Sequence, residues 1–156
     1  MPGDGQVVEY QRGEREGPID LVGPTVGGDN YDVADARGTV TVINVWSSSC
    51  GPCRSEMPML TQADAELGDD VTFMGINVRE ASPQDAATFE TEMGVKYPSI
   101  YAPDGDALLA FPGRTAPVAV PTTLVLDPDG RVASIISGEV PSKTTLLTLV
   151  ESADQQ

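Results

Sequence analysis

Cys50 and Cys53 are the only cysteines in the chain, and just Gly51 and Pro52 stand between them. Thiols at that spacing can serve as a crosslink, a metal site, a haem attachment site or a redox couple. A crosslink gains little, because in the chain-entropy picture a loop of about four residues restrains the unfolded chain by only about 2 kcal/mol, against about 4.7 for a hundred-residue loop. A zinc site asks for four ligands, usually Cys or His, and the sequence has no histidine and no third cysteine. Haem attachment through C-x-x-C-H needs a histidine directly after the second cysteine, where Arg54 stands. The redox couple survives, and neither a metal nor another cofactor is expected.

The elements that must position this pair follow from periodicity. "TVTVINVW", Thr39 to Trp46, is β-branched and almost continuously apolar, as a strand buried on both faces should be, and it runs straight into the cysteines. "CRSEMPMLTQADAEL" beyond them has helical spacing and stops at Gly68, a good residue for closing a helix. A strand "VTFMGINV", a helix "PQDAATFETEMG" ending at Gly94 and a shorter helix near "DALLAF" come next. Two β-rich runs joined by Pro128-Asp129-Gly130 predict a hairpin, and "PSKTTLLTLVESA" predicts a final amphipathic helix. This order implies an α/β domain, a central mixed β-sheet flanked by helices on both faces. Residues 1–17 lack a sustained pattern and are expected to form a flexible N-terminal arm, with residues 18–156 as a single domain.

That placement gives the two thiols different jobs. Cys50 stands where a strand ends and a helix begins, so unpaired backbone N–H groups and the positive end of the helix dipole point at its sulfur. The thiolate, which is the nucleophile of disulfide exchange, is favoured there. Pro52 suits the first helical turn, where its missing N–H costs no hydrogen bond. Cys53, one turn on, reaches Cys50 but is less accessible: Cys50 attacks and Cys53 resolves.

Composition narrows the class further. The 156 residues fit one domain with a real core and carry 9 Lys plus Arg against 24 Asp plus Glu, a net charge of −15. Nucleic acid and anionic membrane surfaces would repel such a chain. No stretch approaches the roughly 20 apolar residues of a membrane span, and the opening residues lack the basic and apolar regions of an export signal.

With the elements in place, five stretches resemble the thioredoxin superfamily and, within it, the TlpA/ResA/CcmG-like thiol-disulfide oxidoreductases. They are "VINVW" before the cysteines, "CGPC", "RSEMP" after it, "INVRE" closing the next strand, and "VPTTLVLDPDGRV" far downstream. The resemblance covers roughly Val33 to the C-terminus and implies the thioredoxin-like fold. It also implies a cis peptide bond before Pro121 beside the cysteines, leaving the backbone of Val120 open to an extended substrate segment, a form of strand addition. The implied partners are cysteine-containing exported proteins such as apocytochrome c, together with a membrane electron donor or acceptor. The implied location is extracytoplasmic, on the periplasmic or cell-envelope side, with signal or anchor outside this sequence. A monomer is expected.

Glu56 matches the glutamate that ResA-like proteins carry three residues after the second cysteine, where a carboxylate can tune both thiols and exchange a proton with them. The alternative is an ordinary exposed acid in the first helical turn. Asn44 replaces the buried aspartate of thioredoxin itself, which leaves Glu56 as the better proton carrier; Asn44 otherwise reads as a hydrogen-bonded core amide. Trp46 either packs in the core beside the motif or floors the substrate groove. Pro58 should kink its helix. "SSS", Ser47 to Ser49, departs from the family, which usually has an aromatic before the first cysteine, and residues 112–119 form a longer connection whose role is either specificity or none.

Gly51-Pro52 matches the reducing branch of the superfamily, so reduction of disulfides is the first expectation and disulfide formation the alternative. A thiol peroxidase is a third reading: Ser47 fits the Thr/Ser of that family, but Ile43 stands where its proline belongs. A copper carrier on the same frame would need a histidine ligand.

Overall fold

The strands, in chain order, are β1 (Gln6–Glu9), β2 (Val22–Pro24), β3 (Asn30–Asp32), β4 (Val40–Trp46), β5 (Val71–Asn77), β6 (Ser99–Tyr101), β7 (Thr122–Leu126) and β8 (Val132–Ser137). Among the described residues, three α-helices, α1 (Gly51–Leu67), α2 (Pro83–Met93) and α3 (Lys143–Asp154), complete the regular structure with five short 3-10 turns. The structure is a computed structural model and describes residues 6–155.

Six strands form one mixed sheet in the order β1-β8-β7-β4-β5-β6, and β2 pairs with β3 in a separate ribbon. β4 lies parallel to β5 and antiparallel to β7, so it is covered on both edges. Every residue of β4 is buried, which is why its sequence reads as an unbroken apolar run. Successive side chains serve opposite faces: Val40, Val42 and Trp46 join one core with Met57, Leu60, Phe89 and Leu146 from the helices. Ile43 and Val45 join a second core with Met74, Leu124, Tyr10 and Phe111. All three α-helices feed the first core, and the helical segments over the second are short 3-10 turns near Val33 and Ala107.

The hairpin predicted at Pro128-Asp129-Gly130 joins β7 to β8. Gly130, at φ 85°, donates its N–H to the Asp127 carbonyl at 2.8 Å, and Asp127 donates its N–H to the Arg131 carbonyl at 2.8 Å. A side chain at residue 130 would resist that left-handed φ.

The flexible arm expected over residues 1–17 is corrected. Residues 1–5 lie outside the described part, but Gln6–Glu9 pair antiparallel with β8, from Gln6↔Ser137 to Glu9↔Ser134, as the edge strand of the main sheet. Tyr10 follows at 7 % exposure, and its N–H bonds the Ala133 carbonyl at 2.8 Å. Arg15 makes an almost fully buried ion pair with Asp127 at 3.0 Å. Sequence pattern hides this because all four β1 side chains are exposed, so no alternation marks the strand; its stability comes from backbone pairing.

Candidate active site

The strand-to-helix junction places Cys50 at the N-cap of α1, with extended backbone (φ −91°, ψ 114°), and Pro52 in the first turn. Cys50 and Cys53 are joined in a disulfide with Cα atoms 5.3 Å apart. The Cys50 sulfur accepts the Cys53 backbone N–H at 3.2 Å, so one orphan donor of the helix start is spent on it. The pair is asymmetric: Cys53 is 0 % exposed and packs in the core, whereas Cys50 is half-buried.

Val120 and Pro121 sit across from this sulfur. Their peptide bond is cis, as the resemblance implied, and the Val120 carbonyl oxygen lies 3.8 Å from the Cys50 sulfur. A groove of Val78, Arg79, Asp104, Leu108, Pro117 and Val118 continues from Val120, with a volume of about 260 Å³. The 112–119 connection therefore supplies one wall of that groove, with Val118 85 % exposed.

Glu56 is not the exposed first-turn acid. It is 2 % exposed, three residues after Cys53 on α1, a spacing that brings side chains onto one helix face. Its Oε2 accepts from the Asn44 amide at 2.9 Å and its Oε1 from the Val140 N–H at 2.9 Å. Burial pushes its pKa up to about 7, against the two hydrogen bonds that pull it down and with Glu139 adding to the rise. Desolvation outweighs the hydrogen bonds because the carboxylate has no cation beside it among these partners. Asn44 also donates to Thr123 Oγ1 at 3.3 Å. It is both the core amide and the residue that holds Glu56.

Trp46 is 0 % exposed, so it packs beneath the motif and does not floor an open groove. Its Nε1 donates to Ser99 Oγ at 2.9 Å, and its ring stacks on Phe89 with centroids 4.8 Å apart. The guanidinium of Arg54 covers Phe89 at 4.9 Å. Gly75 makes room for this seat: a Cβ there would come within 2.8 Å of Trp46 Nε1.

Two residues to which the sequence reading gave no role also belong to the site. Glu80, just beyond β5, accepts from Ser48 in the loop before Cys50, and Asn77, which ends β5, donates to Glu80. The available signal was the parallel pairing of neighbouring strands, since groups at the carboxyl ends of parallel strands converge where ligands bind.

Comparison with known proteins agrees with this geometry. The profile of the family described as Redoxin matches residues 4–153. The thiol:disulfide interchange protein HelX of Rhodobacter capsulatus is 33 % identical over 126 residues, 80 % of this chain and 67 % of that one. ResA of Bacillus subtilis, a thiol-disulfide oxidoreductase, is 29 % identical over 112 residues, 71 % of this chain and 60 % of its own length. Among solved structures, a secreted thiol-disulfide isomerase from Corynebacterium glutamicum superposes with a TM-score of 0.86 at 33 % identity, covering 99 % of this chain and 96 % of that one. A DsbF homologue from Corynebacterium diphtheriae gives 0.82 at 34 % identity, with 97 % and 96 % covered.

Proposed function

The chain belongs to the Redoxin family and is a thiol-disulfide oxidoreductase of the ResA/DsbE type, and from that premise we propose that it reduces disulfides in exported proteins. In this reading the thiolate of Cys50 attacks one sulfur of a substrate disulfide; a mixed disulfide forms and the other substrate sulfur leaves as thiolate. Cys53 then gives its proton to Glu56 and attacks Cys50, releasing the second substrate thiol and closing the Cys50–Cys53 bond. Two electrons pass to the substrate, and a dithiol donor on the membrane side restores the pair. The observation that carries the order of attack is the asymmetry of the cysteines, a half-buried Cys50 at a helix start over a fully buried Cys53; the direction of electron flow rests on Gly51-Pro52, which matches the reducing branch.

Glu56 fits the proton step because a group with a pKa of about 7 can both take and return a proton at neutral pH. The backbone of Val120 and the ring of Pro121 line the seat of the substrate segment, which adds as a short strand. The substrate class the resemblance favours is apocytochrome c, and the location it favours is the extracytoplasmic side. The location accords with relatives that include a secreted isomerase.

A redox titration with a substrate competition tests this. A reductant has a potential well below the roughly −120 mV of DsbA-like oxidants and reduces a peptide with an oxidised C-x-x-C-H segment faster than it oxidises a reduced, unfolded protein. A potential near −120 mV with fast disulfide formation would reverse the direction and keep the nucleophile.

A further inference from the structure

The loop Ser47–Ser49 presents Cys50, and its residues are small and polar, so packing alone does not fix it. β4 and β5 are parallel, with Trp46 opposite Asn77, and the segments leaving them run side by side. Past β5 the chain turns through Arg79 at φ 54°, a left-handed conformation costly for a non-glycine residue and held only where its surroundings impose it. The Arg79 N–H bonds the Pro103 carbonyl at 3.1 Å, and its own carbonyl lies 3.5 Å from Ser47 Oγ. This turn brings the Glu80 carboxylate back onto the loop.

Glu80 Oε2 accepts the Ser48 backbone N–H at 2.6 Å, and Oε1 accepts the Ser48 hydroxyl at 2.7 Å. The buried Asn77 amide steadies the same carboxylate, donating to Oε2 at 2.7 Å. Bonds to an ionised acceptor are the short, strong kind. One residue is thus gripped by backbone and side chain together, two positions before the sulfur. The Cys50 N–H in turn bonds the Ser47 carbonyl at 3.2 Å.

We propose that Glu80 is a positioning residue of the exchange reaction: by clamping Ser48 it holds Cys50 at the helix start, facing Val120, in the orientation that attack on a disulfide requires. The proposal rests on Cys50 being the attacking thiol. Attack is collinear with the bond that breaks, so a loop free to wander loses rate even where the thiolate is fully formed.

The test follows the reaction of the reduced protein with 5,5′-dithiobis(2-nitrobenzoic acid) across pH, so that the thiolate midpoint and the plateau rate separate. The parent is compared with Glu80→Gln, Ser48→Ala and the double variant. Glutamine preserves volume but removes the charge: its NH₂ can be received only by the Ser48 hydroxyl, and the two N–H donors are left on one neutral oxygen, with weaker bonds. Glu80→Gln is expected to lower the plateau at least tenfold and Ser48→Ala about threefold, with the double variant no slower than Glu80→Gln alone. A plateau within twofold of the parent in Glu80→Gln overturns the proposal. So does additive loss in the double variant, or a fall in unfolding midpoint with an unchanged rate in the folded protein. Cys50→Ser run alongside separates the underlying reading: exchange that survives it refutes Cys50 as nucleophile, whatever Glu80 does.

Discussion

The amide of Asn44 donates to the carboxylate of Glu56 across 2.9 Å in a buried contact between the central strand and the helix that carries both cysteines. Where thioredoxin places an acid on the strand, this chain places the acid on the helix and an amide on the strand to hold it. The buried acid of this chain therefore lies on the helix, at 2 % exposure.

This arrangement makes stability depend on pH with a definite sign. Burial raises Glu56 from 4.5 to about 7, so the folded state binds the proton more tightly than the unfolded state. The contribution is fully present below about pH 4.5 and is lost as pH rises through about 7, a loss on the order of 3 kcal/mol. Glu56→Gln removes that dependence. Denaturant unfolding of both proteins between pH 4 and 9 checks it; Glu90, also raised to about 7 by burial, titrates in both and cancels in the difference. In kinetics the same variant should lose an inflection near pH 7 in the resolving step.

The two cysteines should fail differently. Cys50→Ser is expected to abolish exchange, whereas Cys53→Ser should trap mixed disulfides visible by intact-mass spectrometry. If Cys53 proves the faster thiol toward alkylation in the reduced protein, the roles are exchanged.

A methyl group at residue 75 should unseat the tryptophan. Gly75→Ala places a carbon against Trp46 Nε1 and Ser99 Oγ, and overpacking of this kind costs about 1–3 kcal/mol. Because Trp46 is the only tryptophan, a shifted emission spectrum together with a lowered denaturation midpoint reads the effect directly. An unchanged spectrum would show that the strand yields instead.

The N-terminal segment should behave as part of the domain. Arg15→Ala leaves Asp127 buried without its cation, and breaking a buried pair from one side costs about 3–5 kcal/mol. A loss below about 1 kcal/mol in urea unfolding would mean that the segment is only loosely attached.

The sequence made the redox pair, the main strands and the hairpin legible because each is written locally. "TVTVINVW" can hardly be anything but a buried strand, and "PDG" between β-rich runs announces its turn. The burial of Glu56 was not legible, since an acid in a first helical turn is ordinary; only the distant Val140 and the strand residue Asn44 reveal what surrounds it. Glu80 was hidden for the same reason. Its partner is 32 residues away in sequence, and the contact exists only because β4 and β5 run parallel. β1 escaped notice because a strand recruited at an edge needs no apolar face of its own.

That edge strand has a consequence for solution behaviour. β1 is short and occupies the open side of β8, whose N–H and C=O groups would otherwise face solvent as a template for another chain. A shortened protein beginning after Tyr10 would present the longer, largely buried β8 as a free border. Self-association by intermolecular strand pairing, growing with concentration and insensitive to thiol reductants, is the expected behaviour of that truncation.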